Sequence, residues 1–497
     1  MNINDLPREI ISDILLLATQ LNEHAGETFT YGLTTHLPQH KPQPSKYVRG
    51  PLSAECLRWD STRSLRQVCS QWHDWALSYN FEHVFERNWQ GSERWAELTL
   101  KRPKYSIYEL IDKHSGFKVY RDPHGSLKLT NRLFNDMPST ASHVRRLWFN
   151  GLYEAETDKL ILSIVAKCIR LEYLSVPWTL LRRATAKDWV NLLNTNTGRG
   201  KPLHSLEITA VCLPSLQAQA LEADTTPNPL KDSRVDFSAL KRLKIFGNTL
   251  HKPVSDADLH LIARTATNLS CLDVTNLSTT TVAGILALVK ASRPTLQVLE
   301  HSPRSSDGFY HPFPGQLAST EHICSLLSHL PQMRDLSISV PRICPTLFAN
   351  HDVKWTGDLQ VRTTDLCPCS HTTTNNNNNN STTTSSSDNP ATRAERLRAL
   401  FTAARDLITA RHRLHHPLSA QIFYGGCIFE PAKRVVHGDF ALAEISSGGF
   451  WPGGEGKRAS TLGPYGQTGT YGKEEGTWEV VGEEEWLFAV ERGWVGV

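Results

Sequence analysis

Residues Val254–His301 read VSDADLHLIARTATNLSCLDVTNLSTTTVAGILALVKASRPTLQVLEH. Ser255-Asp-Ala-Asp258 is a helix-start signature, in which the serine and the acid three residues on satisfy each other's backbone N–H groups. Leu259, Ile262, Ala263 and Ala266 follow at the spacing of a one-sided apolar helix. Leu269-x-x-Leu272-x-Val274 is then a short alternating run of strand type. A second amphipathic segment (Val282, Ile285, Leu286, Val289) leads into a second strand phrase, Leu296-x-x-Leu299-x-His301. One strand–helix unit is written twice.

The phrase recurs outward from this stretch, at Val144-x-x-Leu147-x-Phe149, Leu171-x-x-Leu174-x-Val176, Leu203-x-x-Leu206-x-Ile208, Leu240-x-x-Leu243-x-Ile245 and Met333-x-x-Leu336-x-Ile338. Subtracting successive start positions from Val144 gives intervals of 27, 32, 37, 29, 27 and 37 residues. Around Leu240 it takes the longer form that ends in Asn248-x-Leu250. The pattern resembles the leucine-rich repeat, in which strands and helices stack into a curved solenoid. That resemblance implies leucines in the core and, on the concave side, the residues flanking each second leucine. Those are Arg146 and Trp148, Tyr173 and Ser175, Ser205 and Glu207, Arg242 and Lys244, Cys271 and Asp273, Val298 and Glu300, and Asp335 and Ser337.

A chain of 497 residues exceeds one ordinary core, so several units or a solenoid are expected. The net charge of +3 argues against nucleic acid as the main partner, which would need a concentrated basic face. Ten cysteines without CxxC pairs suggest buried thiols in a reducing compartment. The N-terminus lacks the basic lead of a secretion signal, and no apolar run approaches the roughly 18 residues that span a bilayer. The expectation is a soluble intracellular protein, cytoplasmic or nuclear, with no membrane partner.

Near the N-terminus stands Leu6-Pro7-x-Glu9-Ile10 with Ile14 and Leu15 following. Two apolar stripes run side by side, Ile10, Ile14 and Leu17 next to Ile11, Leu15 and Ala18. Residues 65–76 place Leu65, Val68, Cys69, Trp72 and Ala76 on one helical face. The two stretches together resemble the F-box, the helical module of substrate receptors in Skp–cullin–F-box ubiquitin ligases, and with the repeats the chain is similar to fungal-type F-box proteins carrying leucine-rich repeats. The resemblance implies that Leu6, Pro7, Ile10, Ile14, Leu15, Leu65, Val68, Cys69 and Trp72 dock on a Skp-family adaptor and, through it, a cullin. A segment at about 22–51 departs from the compact family pattern and reads as an inserted loop, which costs little because loop-closure entropy grows only logarithmically. The plainer reading is an ordinary helical cap made by the two stretches packing on each other.

The expected organisation is an α/β chain: an N-terminal helical F-box-like module (1–78), a helical and mixed linker (79–142), a leucine-rich-repeat-like solenoid of parallel strands and outer helices (143–366), a low-complexity disordered segment (367–390) and a C-terminal α+β cap (391–497). Repeat helices are expected at Asp158–Ile169, Asp188–Leu193 and Glu321–Leu330, with a Pro-rich excursion at Ser302–Gly315 and a further strand within Val353–Thr363. In the C-terminal part, Pro390–His412 reads as a helix. Gln421–Phe429 and Thr477–Val481 read as strand pieces that cap the last repeat.

Chemistry is sought and mostly not found. His437-Gly438-Asp439 is similar to the catalytic loop of small-molecule phosphotransferases, but Glu444 stands where the metal-holding Asn is needed. Gly448–Lys457 departs from a P-loop at Trp451 and Arg458. Cys367-Pro-Cys369-Ser-His371 lacks a fourth metal ligand at normal spacing. No cofactor or metal is therefore expected, and the chain reads as a non-catalytic receptor that holds an unknown protein substrate. Tentative substrate contacts are Arg146, Trp148, Tyr173, Arg242, Lys244, Asp273 and Glu300, chosen because aromatic and Arg anchors dominate binding energy. The alternatives are a repeat scaffold with a non-degradative F-box role and an enzyme hidden in 390–497.

Overall fold

The structure, a computed structural model, describes residues 6–27, 62, 64–87, 109–111, 118–120, 124–193, 201–210, 221, 228–247, 254–275, 277, 279–302, 323–352, 355, 357–367, 390–424, 427–438 and 479–493. The chain is mixed α/β with mostly parallel strands, and it divides into two compact units, Met1–Leu203 and His204–Val497. Most of the inserted loop, the Pro-rich excursion beyond Ser302 and the low-complexity tract 372–389 lie outside the described residues.

In the first unit, α1 (Arg8–Glu27) begins where the Pro7 carbonyl accepts from the Ile11 N–H at 3.1 Å. A 3-10 turn (Leu65–Gln67) precedes α2 (Ser70–Glu82), so residues 65–76 are not the single helix expected. The chain is extended at Cys69 (φ −160°, ψ 171°), and this break turns Val68 outward while Leu65 stays buried. α1 also runs to Glu27, past the expected start of the insertion at Asn22. Ile11, Leu15 and Leu65 form a small core flanked by Leu6, Ala18, Trp72 and Trp75, and the Trp75 indole donates to Ser12 Oγ at 2.9 Å.

Glu82 leads directly into β1 (His83–Arg87), a strand that the linker assignment for 79–142 missed. β2 (Glu109–Ile111) and β3 (Lys118–Tyr120) form a separate antiparallel pair. After α3 (Gly125–Asp136) and α4 (Pro138–Ala141) come β4 (Arg146–Asn150), α5 (Ala155–Val165), β5 (Tyr173–Pro177), α6 (Leu180–Arg183) and α7 (Ala186–Leu193). β1, β4 and β5 are parallel neighbours, with Val84 beside Leu147 and Leu147 beside Leu174. Inward-facing Glu86 is buried yet satisfied, accepting from Ser126 Oγ at 2.8 Å and Thr130 Oγ1 at 2.5 Å. Buried Asp158 on α5 accepts from Thr179 Oγ1 at 2.8 Å and pairs with Arg183 at 2.7 Å, fastening β5's exit to the helix before it.

The second unit continues with β6 (Ser205–Thr209), β7 (Arg242–Phe246), α8 (Asp256–Ala263), β8 (Cys271–Thr275), α9 (Val282–Ala291), β9 (Val298–Ser302), α10 (Ile323–Ser328), β10 (Asp335–Ile343), β11 (Asp358–Leu366), α11 (Pro390–Arg413) and β12 (Ser419–Tyr424). β6 to β12 lie side by side in chain order and pair in parallel, an arrangement compatible with an α/β solenoid. Leu206, Leu243, Leu272, Leu299, Leu336 and Leu359 occupy one level of this sheet, each beside the next. Burying each such side chain stabilises the fold by about 1.5–3 kcal/mol.

At the end of the unit the C-terminal strands continue the sheet itself. β13 (Cys427–Glu430), β14 (Val435–Gly438) and β15 (Glu479–Gly482) extend the same sheet but turn antiparallel. α12 (Glu483–Glu491) then returns onto α11, where Arg405 grips buried Glu483 and Arg398 reaches Glu491 at 3.2 Å. Phe429 packs against Phe401 (4.5 Å between centroids) and Trp486 (4.8 Å), closing the apolar interior beneath these last strands.

Helices of successive repeats are joined by polar side chains. The Ser255 N–H donates to Asp258 Oδ2 at 2.9 Å at the start of α8, as the sequence signature predicts. Asp256 accepts from the Thr281 N–H at 2.8 Å and from Thr281 Oγ1 at 2.6 Å, tying α8 to the start of α9. A Cβ at Gly284 would stand 2.4 Å from Asp256 Oδ1 and 2.9 Å from Leu259 Cδ1, so the two helices meet where α9 has no side chain. Fully buried Ser292 donates to the Ala266 carbonyl at 2.5 Å and accepts from the Leu269 N–H at 3.3 Å. Ser292→Ala leaves two buried backbone groups unpaired, at about 1–3 kcal/mol each. A urea titration is expected to show a loss of about 2 kcal/mol or more with an unchanged denaturant slope.

Candidate binding surfaces

Three surfaces follow from these frames. The first is on α1. Ile10, Ile14, Leu17 and Leu21 share one side of the helix by their spacing. Ile10, Leu17 and Leu21 are 47%, 60% and 71% exposed, and Ile14 is half-buried. Val68 is also exposed, as is Pro7. Of the other residues expected on the adaptor face, Leu15 and Leu65 are buried in the module's own core, Leu6 and Trp72 pack against that core, and Cys69 is half-buried at the start of α2. The expected docking set is thus divided between an internal layer and an open stripe. Leu17 and Leu21 belong to that stripe; Leu17 lay on the sequence stripe but was not counted as a contact, and Leu21 was not considered.

The second surface is the outward side of β1, β4 and β5. Parallel register sets His83 beside Arg146 and Arg146 beside Tyr173; in the next row Phe85 stands beside Trp148, and Trp148 beside Ser175. The Arg146 guanidinium lies over the Tyr173 ring, 4.6 Å from its centroid. Trp148 stacks on His83, with ring centroids 6.1 Å apart and planes 11° apart. Burial lowers the His83 pKa, Glu82 opposes this, and Arg146 and Arg145 reinforce it. Sequence reasoning missed His83 and Phe85 because their strand has no leucine phrase; the alternation His83-Val84-Phe85 was the available signal.

The third surface is the outward side of β6–β12. One row reads Glu207, Lys244, Asp273, Glu300, Ser337, Gln360 and Gln421, consecutive residues being direct cross-strand neighbours. Arg242 stands one row over, beside Cys271. Lys244 sits 3.7 Å from Glu207 and 4.6 Å from the Phe246 ring centroid. Arg362 covers Phe423 at 4.9 Å and donates to Ser337 Oγ and Gln360 Oε1, each at 3.2 Å. Phe246, Arg362 and Phe423 were not among the expected contacts. The charges run acidic, basic, acidic and basic across the strands.

Within this row Asp273 and Glu300 both hold their protons more tightly than ordinary carboxyls. Burial is the main cause for each, and the charge of Asp273 adds to the effect on Glu300. A carboxyl pKa raised by folding stabilises the folded state below the ordinary carboxylate range, near pH 4, and that contribution is lost as pH rises through the folded value. Asp273→Asn is therefore expected to be more stable than the parent at pH 7 in urea, with the difference closing as pH falls towards 4.

His437 lies on β14 opposite Val480, 3.4 Å from Glu430, with its pKa lowered chiefly by burial. Asp439, Cys369, His371 and Gly448–Lys457 lie outside the described residues. Burial pushes the Cys168 and Cys427 thiols up to about 12, which leaves them un-ionised at neutral pH. Among the described residues no group of three or more His, Cys, Asp or Glu is arranged to hold a metal ion. No helix among them is long and apolar enough to cross a membrane. The sequence matches no family model and no curated protein.

Proposed function

We propose that the chain is a substrate-recognition subunit of a Skp–cullin–F-box ubiquitin ligase, non-catalytic itself. It grips the adaptor with the α1 stripe and a target protein with the outward sheet faces. The supporting observation is the division of α1 into an inner layer, Ile11 and Leu15, that closes its own small core and an outer layer, Ile10, Leu17 and Leu21, left facing solvent. A helix needs only the first for its own stability; a continuous second layer is what a helix-in-groove partner covers. The sheet faces support the other half of the reading, because they offer aromatic rings and guanidinium groups on rigid strands rather than reactive groups. The gain from holding a target beside the ligase is effective concentration, so no bond-making group is required of this chain.

The double change Ile10→Asp, Leu17→Asp tests the docking half. Both side chains are exposed, so circular dichroism should be unchanged, while adaptor recovered in a pull-down should fall at least about tenfold, the equivalent of 1.4 kcal/mol. Leu15→Asp, in contrast, should lose adaptor together with helical signal. Undiminished adaptor with Ile10→Asp, Leu17→Asp would defeat the assignment.

A further inference from the structure

We propose that the sheet face of β1, β4 and β5 is a recognition site for a short segment of the target protein carrying a carboxylate next to apolar side chains. This deepens the receptor reading above and rests on it. Arg146 would hold the carboxylate; Phe85, Trp148 and Tyr173 would hold the apolar neighbours.

The charge inventory of this patch is short. Arg145, just before β4, is fully engaged, 3.2 Å from both Glu82 and Glu172, and Glu172 also takes Lys201 at 3.2 Å. Arg146 has no carboxylate within ion-pair distance among the described residues; its contact is the Tyr173 ring. A guanidinium resting its flat face on a ring keeps its N–H edge for a bidentate acceptor. The other titratable group of the patch is His83, whose shift favours the neutral ring. Among the described side chains, Arg146 is thus the one fixed positive charge of this face, set among aromatic rings of which Phe85 is 52% exposed.

A single guanidinium, the one described on this face, selects among anions. A carboxylate brings one negative charge and leaves the pair neutral. A phosphorylated side chain brings about −1.5 to −2 at neutral pH, so a remainder would have to be desolvated against Phe85 and Trp148. Three strands cross about 10 Å, the length of about three extended residues. The site therefore fits a motif of a few residues, with the specificity of an acidic side chain beside an aromatic or aliphatic one.

The test is selection of a random dodecapeptide display library on the immobilised full-length protein, followed by affinity measurement on individual synthetic peptides. Peptides enriched in Asp or Glu adjacent to Phe, Leu or Trp are expected. Arg146→Glu should abolish that enrichment and weaken the selected peptides at least tenfold; Trp148→Ala should weaken them comparably while the acidic preference remains. Arg234→Ala, in an exposed pair with Asp232, is the control and should change nothing. Enrichment without acidic residues, indifference to Arg146→Glu, or no enrichment at all would overturn the proposal. So would tighter binding when the selected Glu is replaced by phosphoserine. Adaptor pull-down depends on α1, so failure of the peptide selection and failure of the receptor reading are separately visible.

Discussion

Leucines held level with one another across parallel strands are the constraint on which the rest depends. In the second unit Leu206, Leu243, Leu272, Leu299, Leu336 and Leu359 stand at one level, and Ala420 completes the row. Side chains alternate between the two faces of a sheet, so a slip of one residue in any strand would carry its leucine to solvent and an outward charge into the core. Truncating one such leucine costs about 2–5 kcal/mol, and exchanging faces would add the burial of Lys244 or Asp273. Register is thereby fixed by the interior. The order of outward residues, on which any recognition depends, is a consequence of it.

Polar side chains inside the stack divide into two kinds. Ser292, Asp256 with Thr281, and Asp158 with Thr179 and Arg183 each satisfy backbone or side-chain groups where one repeat meets the next. They set spacing between elements that packing alone would leave free to slide, since apolar contact has no direction. Asp273 and Glu300 are different. They lie on the outward face, their ionised forms are penalised by burial, and no ion pair to either is formed among the described residues. Their charge is a burden to the fold.

Much of the second unit was legible in the sequence, and the reason is physical. The Leu-x-x-Leu-x-Ile phrase combines alternation with an inward anchor, and each match at Leu203, Leu240, Leu269, Leu296 and Met333 leads into a strand at the expected residues. β1 was hidden because its inward positions are Val84 and Glu86, and an acidic residue is accepted there only through Ser126 and Thr130, forty or more positions away. The break at Cys69 was hidden because residues 65–76 keep a helical apolar period straight through it. The extent of α1 was misjudged since His24 and Gly26 are weak helix formers. In the candidate surfaces, alternation gives the outward rows but not their contacts: Arg146 lies over Tyr173 and Trp148 stacks on His83, choices of side-chain direction that spacing does not encode.

The pairing of Val435–Gly438 with Glu479–Gly482 has a consequence for how the chain tolerates change in length. Both ends of the intervening stretch are pinned within one sheet, and the far end is held again by Arg405 on Glu483. A single insertion inside β14 or β15 would throw the later side chains of that strand to the wrong face.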